Sequence, residues 1–203
     1  MYALVEDNKI TKIINNPKAM IINDVQYPAK IFQLWSKDEL NAIGIYEIVT
    51  DSTNKKDEAY YINTNEEYNF ADNQVTRSWG TATPKRLEDE NAVDENGDPV
   101  LDDDGLQLIN YGLKTEKKRI VKQQASGLLE KTDWHNHKAL DDDTYTIPEN
   151  IKTYRANVRA KSNEMESQIN ACTNVDELKA LYEYTEQEDG TITRPLAEFP
   201  EEI

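Results

Sequence analysis

Two histidines and a run of aspartates lie in one short stretch of the chain, "LLEKTDWHNHKALDDD" at 128–143. If this stretch were extended, His135 and His137 would face the same way, and an aspartate would complete a three-ligand metal site. Such a site needs a rigid second shell of hydrogen-bonding partners, and nothing in the sequence indicates one. The alternative is an exposed loop between two helices, with Trp134 over the open end of the helix pair. We predict the loop and no metal site, because this composition is ordinary for loops.

Other nucleophile and base candidates are few. Cys172 is the only cysteine, and it falls on an apolar helix stripe, where burial raises the pKa of a thiol. The chain has no G-x-S-x-G motif and no phosphate-cradling glycine loop, with seven glycines in all. Carboxylates are abundant, but no pair stands in a distinctive apolar context. We therefore predict no catalytic residue and no cofactor.

Two further motifs are only partial matches. "GIY" at 44–46 and "YIN" at 61–63 are similar to the paired tripeptides of GIY-YIG nucleases, but the second lacks its glycine. The 94–105 segment alternates acidic and amide residues as a calcium loop does. However, Pro99 stands where the EF-hand turn needs glycine, and Gly105 stands where it needs glutamate. A small metal-dependent hydrolase or nuclease therefore remains only the remote alternative.

Composition and charge restrict the classes of partner. Of the 203 residues, 37% are hydrophobic and 31% are charged, which suits small cores ordered partly by neighbours. The formal net charge is −16, from 39 acids and 23 bases. This balance opposes binding to nucleic acid, because cations must neutralise the phosphates, and it favours basic partners. We find neither a membrane-spanning run nor a targeting segment, so we expect a soluble protein made in a reducing cytosol.

The pattern of residues predicts an α+β chain in four parts. These are a small β-rich N-terminal module with one short helix (1–86), an acidic linker or small hairpin (87–112), an antiparallel helical hairpin with a short third helix (113–185), and an extended tail (186–203). Residues 87–112 hold nine acids and no lysine or arginine, which indicates a domain boundary. No internal repeat is apparent beyond a weak echo between the first two β-hairpins.

The N-terminal module is predicted to open with two β-hairpins, which turn at Asp7-Asn8 and at Asn23-Asp24. A short helix follows, with Ser36 and Glu39 as a capping box and Gly44 as its C-terminal stop. Further strands are expected in "IYEIV" (45–49), "AYYINT" (59–64) and "QVTRSWGT" (74–81), and the loop between the last two carries Asn65, Asn69 and Asp72.

The helical region is predicted to begin with an amphipathic basic helix. Its apolar face is Leu113, Ile120, Val121, Ala125, Leu128 and Leu129, and its other face holds Lys114, Lys117, Lys118, Arg119, Lys122 and Lys131. A second helix should begin near Pro148, with Thr146 and Glu149 at capping-box spacing. Its apolar stripe is Ile151, Tyr154, Val158, Met165, Ile169 and Cys172. A third helix should begin at Asn174, which caps with Glu177.

Several of these residues resemble tailed-phage tail-fibre assembly and tail accessory (adaptor) proteins. The chain has "GLK" (112–114), a basic helix, "LLEKTDW" (128–134) and then Tyr154-Arg155 on the returning helix, in the order of that family. The beginning of the chain and "LWSKDELNAIGIYEI" (34–48) are similar to the family's N-terminal modules, where a short helix precedes Gly-Ile-Tyr. The loop after Trp134 departs from the family pattern, because it is longer and more acidic.

The resemblance implies a non-enzymatic protein. It would be a structural component or adaptor of the virion that attaches or organises tail fibres at the tail or baseplate, after synthesis in the host cytoplasm. The alternative is a transient fibre-assembly chaperone that is not retained in the virion. Partners would be tail, baseplate or fibre proteins, or further copies of the chain, without nucleic acid or membrane. The residues predicted to contact a partner are Trp134, Lys117, Lys118, Arg119 and Lys122.

Overall fold

A computed structural model describes residues 1–203 and confirms the predicted α+β class. The chain contains six helices and thirteen strands, many of them very short. It divides into two compact units, Met1–Pro84 and Lys85–Ile203.

The first unit contains a curled five-stranded sheet. Its elements are β1 (Tyr2–Glu6), β2 (Lys9–Ile14), β3 (Met20–Ile22), β4 (Val25–Tyr27), α1 (Ile31–Leu34), α2 (Lys37–Ala42), β5 (Ile45–Thr50), β6 (Tyr61–Ile62), β7 (Glu67–Ala71), β8 (Gln74–Ser78) and β9 (Thr83–Pro84). The sheet has the order β2-β1-β5-β8-β7, in which β5 and β8 are parallel and all other neighbours are antiparallel. The edge strands β2 and β7 also approach each other, which curls the sheet.

Strand β1 is buried on both faces and forms the centre of this unit. Side chains alternate along a strand, so Ala3 and Val5 lie on one face and Leu4 on the other. Ala3 and Val5 pack with Val75 in one core cluster. Leu4 packs in a second cluster with Ile14, Ile22, Ile31, Leu40 and Ile45, which brings in the β3–β4 hairpin and both short helices. The apolar side chains of β1 therefore belong to two core clusters, one on each face of the sheet.

Three two-residue turns set the hairpins of this unit. The predicted turns at residues 7–8 and 23–24 are confirmed, and both residues of each have positive φ, between 48° and 61°. Such turns match the twist of the flanking strands, and Asn and Asp tolerate this conformation. A third turn, at residues 72–73, has the same geometry. It joins β7 to β8, so the prediction of a loop through Asn69 is wrong. The strand expected in "AYYINT" is confined to β6.

Helix α2 begins and ends as predicted. Ser36 and Glu39 form the complete capping box, and the hydrogen bonds from Ser36 lower the pKa of the Glu39 carboxyl. Gly44 follows the helix at φ +82°, and a Cβ there would lie 2.6 Å from the Val5 carbonyl oxygen. The Val5 N–H in turn donates to the Gly44 carbonyl at 2.8 Å. Glycine is required here both for the backbone conformation and for the close approach to β1.

The second unit contains the acidic segment, four helices and the C-terminal segment. Its elements are β10 (Glu90–Asn91), β11 (Ile109–Asn110), α3 (Leu113–Glu130), α4 (Asp133–Asp141), α5 (Glu149–Ala171), α6 (Val175–Ala180), β12 (Thr185–Glu186) and β13 (Ile192–Thr193). Between β10 and β11, antiparallel bridges join Val93 to Pro99 and Leu101 to Gln107. Residues 90–110 thus form three short two-stranded arms, which we call the three-arm module. Its eight-residue repeat contradicts the expectation that the chain has no such repeat.

The helices correct two expectations about the 128–149 region. Residues 133–141 form α4, so the prediction of an exposed interhelical loop is wrong. The Thr146–Glu149 capping box is absent as well, because Pro148 precedes α5 and no side chain caps it. The apolar stripe of α5 is confirmed, since Ile151, Tyr154, Val158, Met165, Ile169 and Cys172 are all buried. The Asn174 cap of α6, with Glu177, is confirmed too.

The C-terminal segment packs against the helices after a small hairpin made by β12 and β13. Leu196 is only 2% exposed, and its N–H donates to the Leu181 carbonyl at 3.0 Å. The Gln168 side chain bonds the Pro195 carbonyl and the Ala197 N–H, at 3.0 and 2.8 Å. Phe199 packs on the cluster of Ala125, Tyr154 and Val158. Part of the predicted extended tail therefore packs on the helices, through Leu196 and Phe199. We call residues 194–203 the strap.

Candidate interaction surfaces and motif junctions

Arg155 joins three helices at the "LLEKTDW" motif. Its guanidinium donates to the Leu129 carbonyl at 2.7 Å, to the Thr132 hydroxyl at 2.6 Å and to the Asp133 carboxylate at 2.7 Å. Arg155 and Thr132 are both buried. The planar fork of arginine suits this role, because it can satisfy several acceptors at fixed angles. We call this set the helix junction. It ties the end of α3 and the beginning of α4 to α5.

A second junction lies at the "GLK" motif, where α3 begins. A Cβ on Gly112 would lie 2.4 Å from the Glu88 carbonyl carbon, so only glycine permits this approach. The Asp89 carboxylate accepts from the Gly112 N–H at 2.8 Å and from the Thr115 hydroxyl at 2.9 Å, and these bonds lower the pKa of Asp89. Lys114 is buried and pairs with Glu88. The prediction that Lys114 lies on the basic face of α3, opposite its apolar face, is therefore wrong.

The two histidines of the opening stretch do not converge. On a helix, residues two apart point about 200° apart, so His135 and His137 diverge on α4. His135 is buried, and its Nδ1 atom bonds the Tyr145 hydroxyl. This geometry contradicts the extended arrangement that a shared metal would need. His135 belongs to the packing of α4.

Trp134 is exposed as the prediction of a contact residue requires, but it is not isolated. Trp134 is 54% exposed, and its ring stacks on His135, with centroids 3.7 Å apart. Tyr145 lies next in this aromatic group, and the Lys138 ammonium sits 4.4 Å from the centre of its ring. Such a stack holds Trp134 in a fixed orientation, which reduces the entropy lost on binding. Its role as a contact residue stays a prediction.

The predicted basic contact residues divide into two groups along α3. Lys118, Arg119 and Lys122 line a shallow groove together with Tyr111. Lys117 instead lies over the ring of Tyr182, at 4.7 Å. Within the groove, Arg119 pairs with Glu116 at 2.9 Å, and Lys122 pairs with Glu166 at 3.3 Å. Exposed pairs of this kind are weak, so the side chains can be redirected toward a partner at little cost.

The lone thiol and the carboxylates complete the inventory of reactive groups. Burial raises the pKa of the Cys172 thiol, and the Glu177 carboxylate adds to this effect. The thiol donates to the Gln168 carbonyl at 3.4 Å, within the α5 stripe. No group of three or more His, Cys, Asp or Glu side chains is arranged to hold a metal ion. No helix has both the length and the apolar character to cross a membrane.

Sequence reasoning missed the most regular exposed surface of the chain, the three-arm module. The signal was present as an apolar residue followed by Asp or Asn at 93–94, 101–102 and 109–110. The short period and the many acids made the segment resemble a linker or a single small hairpin. Its exposed apolar residues, Val93, Leu101, Leu106, Leu108 and Ile109, form a surface unlike that of a solvated linker.

Comparison with known proteins yields no match, since no protein-family model, curated protein or solved structure matches this chain.

Proposed function

We propose that the chain is a non-enzymatic tail protein of a tailed phage, a structural component or adaptor that attaches or organises fibres at the tail or baseplate. In this proposal the chain acts through surface contacts. It is organised as a β-rich N-terminal module and a helical hairpin linked by an acidic segment, and its partners are tail, baseplate or fibre proteins.

The observation that carries the proposal is the position of the motif residues. Gly112 and Lys114 of "GLK" lie where α3 meets the acidic segment, and Thr132, Asp133 and Arg155 meet in the helix junction. The residues that resemble tail proteins thus make tertiary contacts within this unit. A resemblance in such residues supports a common fold more strongly than a resemblance in surface residues does.

The N-terminal motif supports the same proposal. In "LWSKDELNAIGIYEI", Ser36 and Glu39 form the capping box and Gly44 makes the close approach to β1. Ser36 and Glu39 fix where α2 begins, and Gly44 fixes the connection between α2 and β5. The similarity to tail-protein modules therefore again involves residues that determine the backbone path.

Gene deletion combined with analysis of purified particles tests this function. Particles of the wild-type phage should contain the chain by mass spectrometry, and particles of the deletion strain should lack both the chain and its attached fibres. If wild-type particles lack the chain while deletion still removes the fibres, the transient chaperone is supported instead. Fully fibred, infectious particles from the deletion strain would contradict both forms of the proposal.

A further inference from the structure

The three-arm module repeats one pattern every eight residues. An apolar residue followed by Asp or Asn occurs at Val93-Asp94, Leu101-Asp102 and Ile109-Asn110. In the first two repeats a glycine follows three positions after the Asp, and Gly97 and Gly105 have φ values of +88° and +78°. The third repeat is where the chain leaves the module through β11. The first two arms are closed by turns, and the third is open where the chain enters and leaves.

The two closed arms have the same turn. The Oδ1 atom of Asp94 accepts from the backbone N–H groups two and four positions further on, at 2.8 and 2.9 Å. Asp102 accepts from the corresponding groups at 3.0 and 2.8 Å. These aspartates are thus used within their own turns.

The centre of the module is a closed ring of three backbone hydrogen bonds. The Val100 N–H donates to the Ala92 carbonyl at 3.0 Å, the Leu108 N–H donates to the Val100 carbonyl at 2.9 Å, and the Ala92 N–H donates to the Leu108 carbonyl at 2.8 Å. The Gln107 amide nitrogen lies within 3.1 Å of all three carbonyl oxygens. Residues 92, 100 and 108 are therefore related by a pseudo-threefold axis, and the Gln107 amide lies near it.

The same axis relates three exposed apolar side chains. Val93, Leu101 and Ile109 each follow a residue of the central ring, and they are 59%, 53% and 45% exposed. Rotation about an axis leaves equivalent side chains at one level along it, so the three lie on the same side of the module. A single chain thereby presents one apolar contact in three copies.

The charge of the module selects the chemistry of its partner. Residues 90–110 carry seven acids and no lysine or arginine, and the chain as a whole carries −16. Like charge opposes the approach of a second copy, whereas a basic surface is attracted. Three equivalent apolar contacts are all used at once only if the partner also repeats its contact three times about an axis.

We propose that the three-arm module docks on the threefold axis of a homotrimeric protein that has a basic rim around an apolar end. One copy of this chain then binds one trimer, and each of Val93, Leu101 and Ile109 contacts a different partner chain. Each contact is small, but the three are made together and reinforce one another. This inference deepens the proposed function, which supplies the partner for the test: the fibre protein of the same particle.

The test combines native mass spectrometry with three single substitutions. The full chain is mixed with the purified fibre protein, and one copy of the chain per three fibre chains is expected. Val93→Ser, Leu101→Ser and Ile109→Ser should each weaken binding by a similar factor, about tenfold, because each removes one equivalent apolar contact. Ile62→Ser and Ile192→Ser change equally exposed residues outside the module and should leave affinity unchanged. Circular dichroism of every variant checks that the fold is retained.

The outcomes separate this inference from the proposed function. If the chain is a particle component but binds fibre chains in an equimolar ratio, or if one of the three positions carries all the loss, the threefold docking is wrong and the tail function stands. Variants of the module that bind as tightly as the control variants overturn the inference in the same way. A chain that is absent from particles but binds the purified trimer with three equal contacts supports the inference and favours the chaperone. Absence of both particle incorporation and fibre binding rejects both proposals.

Discussion

At the scale of single residues, a few polar side chains and glycines make the contacts that hold distant segments of the chain together. Arg155 donates to the Leu129 carbonyl, the Thr132 hydroxyl and the Asp133 carboxylate, and so ties three helices together. Gly112 and Gly44 allow backbone approaches that any Cβ would block. Their identities were visible in the sequence, but their partners were not, because each partner is distant along the chain.

Replacing Arg155 by alanine should destabilise the second unit by about 2–4 kcal/mol, because it removes three charge-assisted hydrogen bonds and leaves a cavity where a buried side chain lay. The free energy of unfolding in urea, followed by helix content, measures this. Arg159→Ala is the matched control, since Arg159 is an exposed arginine one turn further along the same helix, and its effect should stay within about 0.5 kcal/mol. Equal losses for the two variants would mean that the helix junction contributes nothing.

A pair of glycine-to-alanine variants tests the backbone approach at the beginning of α3. Gly112→Ala should destabilise the unit, because its Cβ would overlap the Glu88 backbone. Gly127→Ala, inside the same helix with nothing within 4 Å of the new Cβ, should stabilise by up to about 1 kcal/mol. Opposite signs in the urea midpoints are expected. A neutral or stabilising Gly112→Ala would contradict the close approach.

At the scale of elements, the helices were more predictable than the connections between them. The stripe on α5 and the caps of α2 and α6 follow from local spacing, which the sequence displays directly. Helix α4 was missed because its sequence has no apolar face at helical spacing. Its packing depends instead on the hydrogen bond between His135 and Tyr145, which are ten residues apart in the sequence. Strand β7 was missed because asparagine favours loops. Here the antiparallel pairing with β8 outweighs that preference and holds the segment as a strand.

The seam between α3 and α5 can be tested by placing a charge in it. Val158 is completely buried, whereas Leu128 is only partly buried at the edge of the same cluster. Val158→Asp should therefore cost several kcal/mol and abolish cooperative unfolding of these helices, and Leu128→Asp should cost clearly less. Circular dichroism during thermal unfolding measures both. Retention of native helix content and melting temperature by Val158→Asp would show that these helices do not pair through this seam.

At the scale of the whole chain, the sequence predicted the α+β class and the acidic character of the connecting segment, but not how distant segments return to the core. The strap at 194–203 was expected to be extended, since its prolines break regular structure. Leu196 nevertheless packs next to Leu181. No local sequence pattern predicts this contact between distant segments. The strap therefore shields part of the apolar surface of the helices from water.

Substitutions in the strap measure that dependence. Leu196→Ala should destabilise the second unit by about 2–4 kcal/mol, because it removes a fully buried side chain and leaves a cavity. Ile192→Ala, four residues earlier in the exposed hairpin, should be close to neutral. Urea unfolding followed by helix content compares the two. Equal stability of both variants would show that the strap does not contribute to the core.

The copy number of the chain in purified particles tests the central claim, action by contact as a tail component, most directly. Isotope-dilution mass spectrometry would measure the ratio of this chain to the major tail-tube protein across independent, salt-washed preparations. The claim predicts a fixed ratio that survives washing, because a bound component occupies a set number of sites. A ratio that varies between preparations and falls to zero on washing would contradict it.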